Sequence, residues 1–395
     1  MHNEQILQPV NQRQGAVTVA AAGLVALAVA MGIGRFAFTP IMPMMEAGAG
    51  LTLRAAGWLA ASNYFGYLVG ALCAARVPRG FAMRGGLVLT AIVTFAMGLT
   101  GNFPLQLVLR FIAGVASAWV LVHVSAWALA RLVALGRKRG QGVVFAGVGV
   151  GIAGAGLVCL VLMVARIDSR ATWEIFGVLA LLLALACWRA LSGTEPVDSG
   201  ASRPASAHRL HWDRDRVRLA ACYGAFGFGY IIPATYLPNM AHAFIPDPFV
   251  FGWTWPVFGT AAALSTWAAA RWLGRLDNRR LLALAYVAMA LGNLLPALLG
   301  GLVPILIAAL LVGGTFMICT MAGIAEARVI GGAQATALIA AITACFALLQ
   351  VIGPLVVSAL AHVRGGFVGA LLAATAILLL AAAWLWSAPR RVAAA

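Results

Sequence analysis

The first apolar stretch of this 395-residue chain contains Gly32-Ile33-Gly34-Arg35-Phe36, and its glycine spacing returns 195 residues later in Gly227-Phe228-Gly229-Tyr230-Ile231. Further coincidences at this offset are Pro43 with Pro238, Met45 with Met240, Gly57-Trp58 with Gly252-Trp253, Arg76 with Arg271 and Arg84 with Arg279. The matches need no gap across two apolar segments and the loop between them. The sequence therefore predicts two parallel halves that are built alike.

The composition places both halves in a membrane. The chain is 63% hydrophobic and 10% charged, with a mean hydropathy of +0.96, whereas ordinary soluble domains are about 25% charged. This excludes a soluble enzyme, a disordered tail protein and a disulfide scaffold. We count twelve apolar segments, each suited to one helical crossing of about 20 residues. They cover roughly residues 15–44, 55–75, 85–102, 104–130, 141–165, 171–191, 217–244, 250–272, 281–300, 302–326, 333–361 and 365–388.

One polar stretch divides the twelve segments into two sets of six. It is rich in Ser, Ala and Pro and ends in basic residues, which is typical of a flexible tether. The predicted organisation is an N-terminal six-helix bundle over residues 1–191, a cytoplasmic linker over 192–216 and a C-terminal six-helix bundle over 217–395. The predicted fold class is an all-α membrane protein of two pseudo-symmetric bundles. In transporters built from parallel repeats, the substrate lies between the halves near mid-membrane.

The basic residues predict the orientation of the chain. If the N-terminus lies in the cytoplasm, 21 of the 27 Lys and Arg residues fall on the cytoplasmic side and four fall outside. Because positive residues accumulate on the cytoplasmic side of membranes, both termini are expected there. The net charge of +16 is spread in short runs between apolar segments. This pattern indicates contact with membrane lipids and not with nucleic acid.

Several motifs resemble those of the major facilitator superfamily (MFS). The fourth segment contains Arg110-Phe111-Ile112-Ala113-Gly114, similar to the RxxxG motif of that superfamily, and the fifth segment is rich in glycine. The Gly32–Phe36 and Tyr223–Pro233 stretches resemble its YbfB/YjiJ branch. The resemblance implies an inner-membrane transporter of twelve helices, with a cavity lined by segments 1, 2, 4, 5, 7, 8, 10 and 11. The loop after the second segment departs from the usual motif, because Ala74 stands where an Asp is common.

Arg35 is the strongest candidate for substrate binding. It lies near the middle of the first segment, where a charge costs at least about 2.5 kcal/mol. One interpretation is a cation that holds an anionic or hydrogen-bond-accepting substrate; the alternative is a hydrogen bond to backbone carbonyls of another helix. Tyr230 is its counterpart in the repeat, so we expect the two side chains to face one another. The alternative for Tyr230 is interface packing.

Four further polar residues at membrane depth are candidates for substrate contact. One interpretation of Arg110 is that its side chain extends to the outer headgroups. The other is that it couples transport to protons or binds the charge of the substrate, a role that the superfamily resemblance implies. Asn63, Tyr67 and Gln350 fit either substrate binding or helix–helix hydrogen bonding.

Acidic residues are absent from the centre of every apolar segment. Exporters of lipophilic cations commonly need a buried carboxylate, so the sequence favours an anionic or neutral substrate. Glu326, at the inner end of the tenth segment, is a candidate to close a cytoplasmic gate against a loop arginine, although a solvated helix end fits equally well. Asp277 and Arg84, in or beside the corresponding loops of the two halves, are the other gating candidates.

No cofactor or metal site is predicted. Gly149–Gly154 matches GxGxxG, but it lies inside an apolar helix with no preceding strand. The sequence lacks a P-loop, and no residues are spaced for catalysis. We therefore predict a secondary transporter, not an enzyme, that works by alternating access.

The predicted transporter exports a small organic anion or neutral metabolite, with the proton as a candidate coupling ion. It is expected to be a monomer in the inner (plasma) membrane, with a small-molecule substrate and lipids as its partners. Multidrug efflux is the alternative within the class, and a receptor that does not transport is the alternative outside it.

Overall fold

The computed structural model describes residues 2–137, 140–192, 210–272, 277–363 and 365–387, which contain helices and no β-strand. The α-helices of the first half are α1 (His2–Leu27), α2 (Phe38–Ala49), α3 (Leu53–Cys73), α4 (Gly86–Leu99), α5 (Phe103–Ala134), α6 (Gln141–Val164) and α7 (Ser169–Ser192). Those of the second half are α8 (Arg214–Phe244), α9 (Pro248–Phe251), α10 (Thr254–Trp272), α11 (Asn278–Leu298), α12 (Leu302–Gly331), α13 (Ala335–Leu360) and α14 (Gly366–Trp386).

The long helices suit a membrane, because lipid cannot satisfy the hydrogen bonds of an open backbone. Within the described ranges, nine stretches are long and apolar enough to cross a membrane, judged by length and composition. One of these, Leu302–Leu360, contains both α12 and α13. Helices α3 and α10, of 21 and 19 residues, are long helices outside these nine stretches. The arrangement is consistent with the twelve predicted crossings.

The first segment forms one candidate crossing over Gln14–Ala49, as expected for residues 15–44, but its α-helix is broken near the middle. Helix α1 passes into a π-helix at Ala28–Ile33, and residues 34–37 form turns before α2 begins. Pro40 contributes to the break, because it offers no N–H to the carbonyl four residues earlier and its ring crowds that carbonyl. The break places Arg35 in the turn.

The helices on either side of the predicted linker of residues 192–216 extend slightly into that range. Helix α7 continues to Ser192, and α8 begins at Arg214 after Asp213, whose side chain accepts a hydrogen bond from the Arg216 N–H at 2.9 Å. Asp213 is thus a helix N-cap. A hydropathy profile does not locate this start of α8, because the first residues of the helix are basic. Residues 193–209 of the predicted linker lie outside the described part of the chain.

Helices α6 and α10 form a close seam between the two halves. A Cβ atom on Gly149 would lie 2.4 Å from the Ala263 nitrogen, and one on Gly259 would lie 2.2 Å from the Ala153 nitrogen. Both distances are far below van der Waals contact, so the seam requires glycine at these two positions.

Hydrogen bonds join the two halves toward one end of the molecule. We define the linker end as the end with residues 74–80 and 210–213, and the far end as the end with residues 50–52 and 245–247. Six hydrogen bonds join described residues of the two halves at the level of Arg35 or on its far-end side. The far end is therefore closed by direct polar contacts.

Candidate functional site

The turn at Arg35 exposes two backbone carbonyls that other side chains satisfy. Arg110 donates from Nη1 to the Gly34 carbonyl at 3.3 Å and from Nη2 to the Arg35 carbonyl at 3.1 Å. Asn63 donates from Nδ2 to the same Gly34 carbonyl at 3.4 Å and to the Arg110 carbonyl at 2.9 Å. Arg110 and Asn63 are both buried. Of the two interpretations of Arg110, extension to the headgroups is wrong, because freed carbonyls inside the bundle bind its guanidinium.

The second half satisfies the counterpart carbonyl in a similar way. Gly229 corresponds to Gly34 in the repeat, and Pro233 provides no N–H for its carbonyl. The Gly229 carbonyl instead accepts a hydrogen bond from Nδ2 of Asn293 at 2.9 Å. Sequence reasoning missed Asn293, although an asparagine within an apolar segment is a signal that could have found it.

A second proline frees a carbonyl that connects the two halves. Pro238 leaves the Ala234 carbonyl without a helical donor, and Thr39 of the first half donates to it at 3.0 Å. Beside this contact, the hydroxyls of Tyr64 and Thr235 lie 3.0 Å apart. These bonds hold α2 and α3 against α8 on the far-end side of Arg35.

Arg35, Tyr230 and Gln350 meet at the interface of the halves. The Arg35 Nη2 donates to the Gln350 side-chain oxygen at 2.5 Å and lies 3.4 Å from the Tyr230 hydroxyl. The Gln350 amide also donates to that hydroxyl. All three side chains are buried, and Arg35 is only 2% exposed. The structure thus places Arg35 against its repeat counterpart, and Arg35 bonds side chains and not backbone carbonyls.

Aromatic rings of the first half surround the Arg35 guanidinium. Its central carbon lies 4.1 Å from the centre of the Tyr67 ring and 5.1 Å from the centres of the Tyr64 and Phe36 rings. Cation–π contacts of this kind stabilise a guanidinium that has lost its water. Tyr67 therefore contributes a ring face to the site.

A row of aromatic rings continues the site into the second half. Tyr230 is nearly parallel to Phe316 and Phe346, with ring centres 5.8 and 5.7 Å apart. Phe316 then stacks on Phe258 at 5.9 Å, and Phe258 stacks on Trp255 at 4.8 Å. Sequence reasoning missed these phenylalanines, because one aromatic residue among many in an apolar helix carries no signal.

The site has a net positive charge. No carboxylate of the described residues forms an ion pair with Arg35 or Arg110, since all their recorded hydrogen bonds go to neutral groups. The Arg35 Nε is buried and has no hydrogen-bond partner in the described part of the chain. That part also contains no group of three or more metal-binding side chains. The arrangement can attract one negative charge.

Comparison with known proteins identifies the family. The family described as "Uncharacterised MFS-type transporter YbfB" matches residues 27–385 of the chain. The chain belongs to this family. The resemblance read from the Gly32–Phe36 and Tyr223–Pro233 stretches is thereby confirmed, and the protein is an MFS transporter and not an enzyme. It is a multi-pass membrane protein with a small-molecule substrate.

Solved structures agree with this fold. This MFS transporter is similar to a mutant of the nucleoside transporter NupG, with a TM-score of 0.73, 14% sequence identity, and coverage of 94% of this chain and 99% of that one. It is also similar to a bacterial homologue of the human lysosomal transporter Spinster, in an inward-facing and occupied conformation, with a TM-score of 0.67, 14% identity, and coverage of 94% and 95%. At this identity the likeness shows the fold. Comparison with the curated proteins finds no match.

The predicted gating residues of the transporter do not form one cluster. Glu326 is buried and accepts a hydrogen bond from Arg279 Nε at 2.5 Å, and Arg279 also binds Asp215 at 2.9 Å. The alternative of a solvated Glu326 is therefore wrong, because Glu326 is buried and pairs with Arg279 in the first turn of α11. Asp277 is exposed at the start of α11. Arg84 lies against the Trp188 ring in the first half.

Proposed function

We propose that this protein is a secondary active transporter that moves a small organic anion or neutral metabolite by alternating access. The observation that carries the proposal is the position of Arg35. It is buried between the halves and is bound to the neutral side chains of Gln350 and Tyr230 from the opposite half. A cation that is paired with neutral groups favours a ligand that brings the missing negative charge.

The contacts between the halves support alternating access. Thr39, Tyr64 and Arg54 of the first half bond the second half on the far-end side of Arg35. Rocking of the halves would break these bonds and expose the site to the far end. A ligand that binds the two states of the transporter with different affinities would shift the equilibrium between them.

The direction of transport follows from the orientation that the basic residues predict. The linker end would face the cytoplasm, with both termini on that side of the inner membrane. Loading of the site from the cytoplasm and release at the far end would then be export. The proton is the candidate coupling ion. We also propose a monomer, because one chain supplies both halves of the site.

Thermal-shift measurements on the purified protein test the substrate class. A ligand that binds only the folded state raises the melting temperature. We expect small organic anions to raise it for the wild type and not for Arg35→Ala, with Arg35→Lys intermediate because lysine keeps the charge and loses the planar fork. Arg280→Ala is the matched control, because Arg280 lies against Trp386 and away from the site.

The same screen separates the alternatives. Stabilisation by lipophilic cations that Arg35→Ala leaves unchanged would overturn the proposed substrate class and support multidrug efflux. Anion binding without flux in proteoliposomes would indicate a receptor. Flux measured with the linker end inside or outside, with and without a pH gradient, tests export and proton coupling.

A further inference from the structure

We infer that the ligand of the Arg35 site is a planar aromatic monoanion, such as a benzoate-like carboxylate. The inference rests on the proposed function, in which this site binds a small organic anion, and it names the chemical class. Three features of the site support it: one available cation, flat aromatic walls, and few other polar groups.

The first feature is that a single positive charge faces the interface. Arg110 is the other buried cation nearby, but both of its Nη atoms bind carbonyls of the first half. Its central carbon also lies 5.1 Å from the Phe38 ring centre and 5.9 Å from that of Trp173. Of these two buried arginines, Arg35 is the one that bonds described residues of the second half. A second carboxylate on the ligand would be buried without a cation, which is strongly unfavourable.

The second feature is the shape of the walls. Tyr230, Phe316 and Phe346 present three nearly parallel rings, with interplanar angles of 7° and 5° to Tyr230. On the opposite side, the Tyr67 ring covers the guanidinium. Rings prefer offset-stacked or edge-to-face neighbours, so a flat aromatic ligand gains contacts here that a puckered aliphatic ring of the same size does not.

The third feature is that neutral groups occupy the place of a carboxylate. The Gln350 side-chain oxygen accepts from Arg35 Nη2, while the Nε of the same guanidinium has no partner among the described residues. A ligand carboxylate would displace the glutamine oxygen and engage the guanidinium through Nη2 and Nε, which is the bidentate geometry that arginine favours. A sugar would need many more hydrogen-bond partners than Gln350 and Tyr230 supply.

The test is isothermal titration of the full-length wild-type protein in detergent with four compounds. They are benzoate, cyclohexanecarboxylate (the same charge on a puckered ring), terephthalate (a second carboxylate) and benzyl alcohol (no charge). We expect benzoate to bind about tenfold more tightly than cyclohexanecarboxylate, as ring stacking predicts. Terephthalate and benzyl alcohol should bind at least about tenfold more weakly than benzoate.

A matched pair of variants assigns the preference to the aromatic row. Phe316→Leu should reduce the ratio of benzoate to cyclohexanecarboxylate affinity to about threefold or less, because one stacked ring is lost. Phe176→Leu should leave that ratio unchanged, since Phe176 is equally buried but belongs to α7 of the first half. Both ratios compare two ligands on one protein, so a general loss of stability does not imitate the effect.

The outcomes distinguish this inference from the proposed function. If cyclohexanecarboxylate binds as tightly as benzoate and Arg35→Ala abolishes both, the aromatic class is wrong and the organic-anion transporter remains. If terephthalate binds best, the single-charge argument is wrong. If none of the anions binds and lipophilic cations bind without Arg35, both the inference and the proposed function are overturned.

Discussion

Arg35 and Arg110 are buried cations with different surroundings. Arg110 donates to the Gly34 and Arg35 carbonyls, so its charge serves backbone groups that the turn has exposed. Arg35 donates to the side chains of Gln350 and Tyr230 across the interface. Loss of Arg110 leaves the Arg35 carbonyl without a donor, whereas loss of Arg35 leaves Gln350 and Tyr230 bonded to each other. The two arginines should therefore differ in their effects on stability and binding.

Substitution by methionine separates these roles. Arg110→Met should lower the free energy of unfolding by about 1–3 kcal/mol, because the Arg35 carbonyl is left without a donor. Arg35→Met removes a buried charge that lacks an acid, so it should leave stability unchanged or higher while abolishing anion binding. Thermal unfolding and titration of each variant measure both effects. Equal destabilisation by the two variants would contradict the assignment.

Gln350→Glu tests whether Arg35 must remain available for the ligand. A carboxylate at residue 350 would pair with Arg35, so the melting temperature should stay the same or rise. Anion affinity should fall about tenfold or more, because the internal carboxylate competes with the ligand. Gln350→Met, which removes the acceptor without adding charge, is the control and should retain binding. Undiminished anion affinity in Gln350→Glu would show that the ligand does not use Arg35.

At the scale of elements, prolines position the site by freeing carbonyls inside helices. Pro40 contributes to the break that places Arg35 in a turn, and Pro233 leaves the Gly229 carbonyl to Asn293. Pro238 leaves the Ala234 carbonyl to Thr39 of the other half. A helix that has given up a hydrogen bond accepts one from a neighbouring helix, and here the bond from Thr39 helps to close the far end.

Thr39→Val should loosen the far end. Valine has nearly the same shape and lacks the hydroxyl, so the closed state loses one hydrogen bond, which is about 1 kcal/mol or about a fivefold change in its population. Hydrogen–deuterium exchange should become faster in the far-end halves of α2 and α8. Thr90→Val is the matched control, because Thr90 is buried and bonds only the Gly86 carbonyl of its own half. An equal change in both variants would rule out a closing role for Thr39.

At the scale of the whole molecule, the two halves meet by polar contacts on the far-end side of Arg35 and by the α6–α10 seam. The seam lies where Gly149 and Gly259 let two backbones approach. The site lies between these regions, bounded by rings from both halves. A relative movement of the halves changes the far-end contacts and the Arg35 contacts together, as alternating access requires.

Gly149→Ala should destabilise the molecule through the seam. The added Cβ would lie 2.4 Å from Ala263 and 2.7 Å from Gly259 backbone atoms, so the helices must separate, at a cost of about 1–3 kcal/mol. Gly154→Ala is the control on the same helix, because nothing lies within 4 Å of its added Cβ, and it should be neutral or stabilising by up to about 1 kcal/mol. Thermal unfolding measures both. Comparable melting temperatures would mean that the seam does not require glycine at residue 149.

Part of the site could be predicted from the sequence, because a charge or an amide in an apolar segment stands out. Arg35 was found in this way, and the repeat predicted Tyr230 as its partner, at the same offset that separates the bonded side chains. Gln350 was found as an isolated polar residue. The break at residues 34–37 was not predicted, because hydropathy depends on side chains and contains no information on backbone hydrogen bonds. The role of Arg110 was not settled, because a guanidinium within an apolar segment reaches either headgroups or carbonyls.

The sequence by itself determined the class, the helical architecture and the repeat. Lipid forces each long apolar segment to satisfy its own backbone, and the 195-residue offset is a property of the chain alone. Only the tertiary structure decided which residues surround Arg35. Phe258, Phe316 and Phe346 are ordinary apolar residues in their own helices, and they form one row because α12 and α13 meet at Tyr230 while α10 packs against α12. Such contacts join residues far apart in sequence, so they depend on the packing of the two halves and not on any local pattern.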